Sequence, residues 1–355
     1  MAEIEKLMNI AAGDIEKIMG IETGDIETLM GVEYPVSATW TGTRAVAFGG
    51  TRNDTSAVNN IDYKSMSADT DTTDFGDLGH AYNYGGSCSN GTRAVYGGAR
   101  DMDNWEYVTV GSPGNATDFG ETTEQRHQST IVTNGTIGIQ MAGIDDSSDM
   151  KTTMDYINIA SVADVTDWGD LSGFAAGLYY QWGVNHATRG LSCTGNSGTG
   201  TNPRTTRTGT VSFASTGNAG VENYLTGHAK SAAAGAESAS RALGAGGTTS
   251  GNGTGLQLSG FTRLLSYFNT DSLSGLGYFG YLTDDGGGTC YFNNGVSDLI
   301  RAEFWAGFRQ DDDVGNPYRT DRIDKFTIDS FGDATDVGNL ASGASTYGPA
   351  VSSGT

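Results

Sequence analysis

Cysteine, proline, histidine and positive charge are all scarce in this 355-residue chain. It has 3 Cys, 5 Pro and 4 His, and 20 Lys and Arg against 42 Asp and Glu. An odd number of widely spaced cysteines cannot form a disulfide framework, so Cys88, Cys193 and Cys290 are expected to be buried free thiols. Five prolines, and glycines without a three-residue period, exclude a collagen-like chain. A formal charge of −22 argues against a nucleic-acid or anionic-membrane surface, because phosphates require Lys and Arg. No run approaches the roughly 18–20 apolar residues of a membrane span. Glu3 and Glu5 stand where a signal peptide would be basic, so ordinary secretion is not expected. His80, His127, His186 and His228 include no pair at metal-ligand spacing, and there is no Gly-x-Ser-x-Gly elbow or Walker loop. A non-enzymatic protein is therefore expected.

What the chain has is glycine, 54 residues of it, in a phrase that returns. Gly-Thr-Arg-Ala-Val-Ala-Phe-Gly-Gly at Gly42–Gly50 recurs in closely similar form at Gly91–Gly98. Looser copies stand at Gly135–Gly143, Ala187–Gly195, Ala239–Gly247 and Asp298–Gly307. A second phrase follows most of them: Thr73-Asp74-Phe75-Gly76, Thr117-Asp118-Phe119-Gly120, Thr166-Asp167-Trp168-Gly169 and Thr335-Asp336-Val337-Gly338. Two unlike phrases repeating in one order mark a copied structural unit, and periods of 20–50 residues or slightly more indicate propellers or arrays. Each unit divides into four strands. In the second these are Ala81–Cys88, Thr92–Tyr96, Trp105–Val110 and Ala116–Gly120. Six such units predict an all-β, six-bladed propeller over residues 34–355. Either Val36–Trp40 or Tyr347–Ser353 is expected to complete the first sheet and close the ring.

Residues 1–33 differ. Three 11-residue units place Ile4, Leu7, Met8, then Ile15, Ile18, Met19, then Ile26, Leu29, Met30 at helical spacing, and glycines interrupt the pattern. This predicts a short helical adaptor whose apolar face docks on copies of itself or on a partner, because isolated helices this short are marginal in water.

The Gly-Gly strand endings resemble kelch-type repeats. Gly-Thr-Arg-Ala-Val-x-Gly-Gly, with Asn115-Ala-Thr-Asp-Phe-Gly-Glu121, resembles kelch-like repeats of tailed-bacteriophage structural proteins, and the Ile15-Glu-Lys-Ile-Met-Gly-Ile21 units resemble N-terminal segments of tail-fibre-type proteins. The resemblance implies a component on the surface of a phage particle, in tail or head, present in several copies or as a homo-oligomer. It would dock on other virion proteins through residues 1–33 and present a propeller to a host-surface glycan or protein. A capsid-decorating or head-fibre protein is the alternative, and a polysaccharide-degrading tail enzyme comes third. No cofactor is expected. The acidic stretches at Asp69–Asp77, Asp145–Asp149, Asp284–Asp285 and Asp311–Asp313 read as solvated loops, with Ca²⁺ as the one ion whose oxygen preference they could meet.

Two finer expectations concern side chains. Arg44, Arg93, Arg189, Arg241 and Arg301 recur with Asp74, Asp118, Asp167 and Asp336, which suggests that each Arg braces an acidic turn. Exposed aromatics, namely Tyr179, Tyr180 and Trp182, Tyr278 and Tyr281, and Trp305, are the candidate ligand contacts. His80 and His127 are expected to be equivalent repeat positions.

Overall fold

The computed structural model describes residues 44–51, 56–174, 177–186, 188–198, 204–222, 230–238, 240–249, 260–261, 264–270, 272, 274–283, 287–291, 294–311, 317–343 and 350–352, with four two-residue pieces between 17 and 33. Among these residues there is no helix, and six antiparallel sheets of four or five strands follow one another in chain order as a six-bladed β-propeller. Blade 1 comprises Arg44–Phe48, Val58–Ser65 and Thr73–Tyr82, with Ala350–Ser352 as its inner strand. Blade 2 runs from inside to outside as Gly86–Ser89, Arg93–Gly97, Asn104–Thr109 and Thr117–Glu121. Blade 3 is Thr130–Thr133, Ile137–Ile144, Met150–Asn158 and Thr166–Asp170. Blade 4 is Trp182–His186, Arg189–Asn196, Arg204–Ser212 and Gly220–Glu222. Blade 5 is Ala234–Glu237, Arg241–Ala245, Leu264–Asn269 and Ser274–Tyr281, beside a small sheet of Lys230–Ser231, Thr248–Thr249 and Gly260–Phe261. Blade 6 is Asn294–Ser297, Arg301–Asp311, Pro317–Thr327 and Thr335–Asn339, with Gly287–Tyr291 along the far half of its second strand.

The Gly-Gly phrase has a backbone cause. Just past the stretch of each second strand that pairs with the inner strand, the first doublet residue turns left-handed: Gly49, Gly98, Ala142, Thr194, Gly246 and Ala306 have φ between 46° and 62°. The ladder to the third strand shifts register there in blades 3, 4 and 6 and then resumes, so the doublet is a bulge. The second position also demands glycine for space: at Gly143 an added Cβ would stand 2.7 Å from the His127 carbonyl oxygen.

The second phrase ties blade to blade. Its aromatic residue is buried (Phe75, Phe119, Trp168), edge-on to a Tyr of the preceding strand at ring separations of 5.1 to 6.0 Å. Its glycine abuts the turn of the next blade, and a Cβ on Gly169 would lie 2.8 Å from the Gly217 carbonyl. The Asn or Asp that opens the phrase accepts a backbone N–H from the blade before. Asp77 N–H donates to Asn115, Glu121 to Asp164, Asp170 to Asn218, Tyr281 to Asp333 and Asn339 to Asp71, at 2.9–3.1 Å. A return bond, such as Ala116 N–H to Asp77 O at 2.8 Å, completes each rung.

The repeated arginine does not pair with the repeated aspartate. The guanidinium groups of Arg44, Arg93, Arg189 and Arg241 instead donate to the carbonyls of Val110, Ile159, Thr270 and Ile328, one blade further on, at 2.5–2.8 Å. Those of Arg44, Arg93 and Arg241 also lie over Tyr63, Tyr107 and Tyr267, 4.2–5.3 Å from the ring centroids. Arg301 meets a nearby carboxylate, that of Asp298. The reason is reach. The Arg opens its strand on the side where the next blade's third strand ends, whereas Asp118 is exposed and accepts from Asn104. Blade 3 has Ile137 at this position, packed against a core that includes Phe213, the residue matching Val110 in the next blade. We predict that Arg93→Ala costs about 2 kcal/mol, one charge-assisted hydrogen bond plus a cation–π contact, read as a lower urea midpoint at unchanged slope.

A buried acid on the third strand secures the connector arriving from the preceding blade. Asp62 accepts from Ser342, Glu106 from Gly79 N–H at 2.9 Å, Asp155 from Thr123 at 2.6 Å and Asp324 from Thr283. At the ring closure, Val351 pairs with Val46, so the Tyr347–Ser353 segment holds the strand that completes blade 1, and Val36–Trp40 lies outside the described residues. Lys64 of blade 1 and Glu303 of blade 6 form a buried ion pair across the same junction, 3.0 Å apart.

Between residues 1 and 33, Lys17–Ile18 pairs with Ile21–Glu22 and Thr28–Leu29 with Val32–Glu33, where the sequence suggested helix. The rest of the adaptor expectation, including Ile4, Leu7, Met8, Ile15, Met19, Ile26 and Met30, lies outside the described residues. Cys88 and Cys193 are buried and unpaired, and burial pushes both thiols up.

Candidate functional site at the channel mouth

The connectors that lead into the inner strands of blades 2 to 5 turn sharply two residues before the inner strand begins. Tyr84, Gln128, Tyr180 and Ala232 occupy this position in blades 2 to 5, with left-handed φ of 62°, 56°, 55° and 58°. Such a conformation costs a non-glycine residue about 1–2 kcal/mol and persists where surroundings enforce it. Here the enforcing element is a hydrogen-bond chain. Gln128 N–H donates to Tyr84 O, Tyr180 N–H to Gln128 O, and Ala232 N–H to Tyr180 O, each at 2.9 Å. The four turns thus form an arc around the end of the inner strands.

The arc gathers side chains from three blades. The Tyr84 ring lies 5.8 Å from that of His127 and 6.3 Å from that of Tyr180, and Tyr179 lies 5.3 Å from Tyr180. Burial, then the hydrogen-bonded neighbour Tyr84, pushes the Tyr180 hydroxyl far up, so it stays protonated. Burial holds His127 below its usual value, against the opposing pull of Asp146, whose carboxylate is 3.6 Å from Nε2. Nδ1 of His127 and Oε1 of Gln128 are buried without hydrogen-bond partners. Below them Arg126 donates to Asp155 at 2.6 Å and to Glu124 at 3.0 Å, and Gln140 bonds Ser129 at 2.9 Å, a polar floor that fixes the connector.

Two hollows open on this face. One, of about 240 Å³, is lined by Gln128, Ile144, Ser148, Met150, Tyr179, Tyr180 and Gly198. The other, of about 720 Å³, lies where blade 1 meets blade 2, among His80, Tyr82, Asn83, Arg100, Asp101 and Asp103.

Of the aromatics singled out in the sequence, Tyr179 and Tyr180 are half-buried at this mouth. Trp182 and Trp305 are not available to a ligand. Trp182 is buried with its indole N–H on Thr194 at 2.9 Å, and Trp305 is fully buried with its own on Glu303 at 2.9 Å. Both sit on strands whose two faces are covered by neighbouring blades, so no orientation of the ring reaches water. Tyr278 and Tyr281 are exposed, but on the outer strand of blade 5, at the periphery. Nor are His80 and His127 equivalent: His80 lies within the outer strand of blade 1, whereas His127 bridges Ile144 just ahead of an inner strand.

Sequence reading missed Tyr84, Gln128 and His127 as partners of Tyr180. The signal was their shared place two or three residues before each inner strand, which shows only when the units are aligned on that strand.

Of the acidic stretches, Asp284–Asp285 and the side chains of Asp311–Asp313 lie outside the described residues, and two carboxylates of the others are paired locally. Asp145 pairs with Lys151 at 3.0 Å and accepts the N–H groups of Ser147 and Asp149, and Asp69 pairs with Lys325. Among the described residues no three His, Cys, Asp or Glu side chains converge as metal ligands. Elsewhere, buried Lys230 donates to the carbonyls of Leu264 at 2.7 Å and Gly244 at 3.2 Å, and burial pushes it down to about 7. Glu237, pushed up to about 7 by burial, accepts from Asn185 at 2.8 Å. Both are too enclosed to meet a ligand. No described helix is long and apolar enough to cross a membrane.

No protein-family model matches the chain, and no curated protein matches it in sequence. Among solved structures it is similar to one described as "Structure of YjhT", with a TM-score of 0.60 and 9% identity over 77% of this chain and 88% of that one. At such identity the likeness is one of fold, and propellers serve many unrelated functions.

Proposed function

We propose that this propeller is a non-catalytic attachment module of a phage particle, docked through residues 1–33 and presenting its channel-mouth face to the host surface. The observation that carries the attachment reading is the arc of left-handed turns holding Tyr84, Tyr179 and Tyr180 together at the mouth. Rigid aromatic side chains bind with little loss of conformational freedom, and here the backbone holds them in place in advance. The tail-fibre or tail-tip assignment, and the kelch-like character of the repeat, rest on the resemblance of the Gly-Thr-Arg-Ala-Val and Thr-Asp-Phe-Gly phrases and of the N-terminal units. The acidic surface, 42 acidic against 20 basic residues, suits a protein that stays dispersed when displayed in many copies.

The test is adsorption of fluorescently labelled full-length protein to a panel of bacterial cells, measured by flow cytometry. Tyr180→Ser is expected to lower adsorption about tenfold while the peripheral control Tyr278→Ser does not. Equal adsorption by both variants, with unchanged melting temperatures, would remove the mouth from the reading. Immunogold labelling over the shell rather than the tail would select the capsid-decorating alternative, and release of reducing sugar from the cells would select an enzyme.

A further inference from the structure

The smaller hollow, between blades 3 and 4, has the features of a built site. Three of its lining residues, Gln128, Ser148 and Tyr180, hold left-handed backbone with φ of 55–66°. Strain of this kind, concentrated in one lining, fixes the shape of a cavity before anything enters it. Tyr179 and Tyr180 supply aromatic surface, Ile144 and Met150 an apolar floor, and among the described residues the lining includes no charged side chain. Gln128 lines it with a side-chain amide whose Oε1 is itself enclosed by protein.

These features restrict the ligand. A volume of about 240 Å³ falls below the roughly 300–1,000 Å³ of pockets for drug-sized molecules, so the occupant is one small unit. The neighbouring loop carries Asp145, Asp146 and Asp149 against Lys151, three negative charges and one positive, and this field disfavours anions. Among the described residues no carboxylate lines the hollow to compensate a desolvated cation. A hydroxyl both donates and accepts, so it satisfies the amide in either orientation. Flat apolar C–H faces flanked by hydroxyls match two tyrosine rings beside a polar amide.

We propose that this hollow binds a single neutral sugar unit, with Gln128 bonding one hydroxyl and Tyr179 and Tyr180 packing on the ring. The inference rests on the attachment reading only in taking this face as the one that meets a ligand.

The experiment uses full-length protein with methyl α-D-glucoside, methyl α-D-galactoside and methyl α-D-mannoside as neutral probes, sodium glucuronate as the anion and choline as the cation. Saturation-transfer NMR reads binding. At least one neutral glycoside is expected to bind with a dissociation constant on the order of millimolar. Gln128→Leu and, separately, Tyr179→Leu are expected to weaken it about tenfold with the melting temperature retained. Absence of binding by all three glycosides up to about 50 mM overturns the proposal. Preference for choline or glucuronate, or binding unmoved by both substitutions, does the same. Glycoside binding lost in Gln128→Leu while cell adsorption persists supports the sugar site and overturns its role in attachment. Adsorption lost in Tyr180→Ser with no glycoside bound keeps attachment and overturns the sugar site.

Discussion

Asp155→Ala is expected to destabilise the propeller by about 3–5 kcal/mol, among the largest effects of any single substitution in this chain. Asp155 and Arg126 are both fully buried, and their contact at 2.6 Å joins blade 3 to the connector arriving from blade 2. Removing the carboxylate leaves a guanidinium with no exposed surface, whose remaining acidic partner, Glu124, is one-third exposed. It also strips Thr123 of its acceptor. Desolvation of the unpaired cation dominates, because the lost attraction alone would be offset by water if water could enter. The double variant Arg126→Met with Asp155→Leu removes both charges and is expected to recover most of the loss. A urea titration of the three proteins decides: if the double variant is no more stable than Asp155→Ala, the charge-burial account is wrong and the side chains matter through packing. Because the connector carries His127 and Gln128, the single variant is also expected to loosen the mouth.

Ending the chain at residue 349 is expected to open the ring. Ala350–Ser352 makes the innermost ladder of blade 1, pairing with Ala47, Val46 and Ala45, of which Val46 and Ala45 are fully buried. Without it the edge of Arg44–Phe48 faces the central channel unpaired, an apolar strand edge of the kind that recruits other chains. The peripheral ties of blade 6 to blade 1 remain, through Asn339 with Asp71 and Lys64 with Glu303. The truncated protein is therefore expected to fold, to melt roughly 10 °C lower over a broader range, and to self-associate. Adding a synthetic peptide of residues 346–355 is expected to restore the sharp transition by strand addition. Calorimetry and light scattering read both effects, and a truncated protein that melts like the full chain would show that the peripheral ties alone close the ring.

The sequence by itself determined the number of blades, their order and the place of most strands. Those features follow from local demands repeated six times. A doublet such as Gly49-Gly50 stands where the backbone must turn left-handed and pass close to a carbonyl, and Thr117-Asp118-Phe119-Gly120 stands where an aromatic enters the core and a glycine meets the next blade. A demand made on φ or on the space for a Cβ selects residue type directly, so it is written in the chain.

Only the tertiary structure decided what the side chains meet. Arg93 shares its period with Asp118, yet it bonds the Ile159 carbonyl, because adjacent blades bring together residues 66 positions apart. Tyr180 and Trp182 look alike as neighbouring aromatics. One left-handed residue puts Tyr180 at the mouth, while Trp182, on the inner strand, is packed against Thr194 and Phe268. The choice of closing strand needs the fold for the same reason, since both candidate segments have suitable composition and it is the pairing of Val351 with Val46 that places the C-terminal one in blade 1. Strand register alternates faces with every residue, so a bulge or turn that shifts the count by one exchanges core for surface.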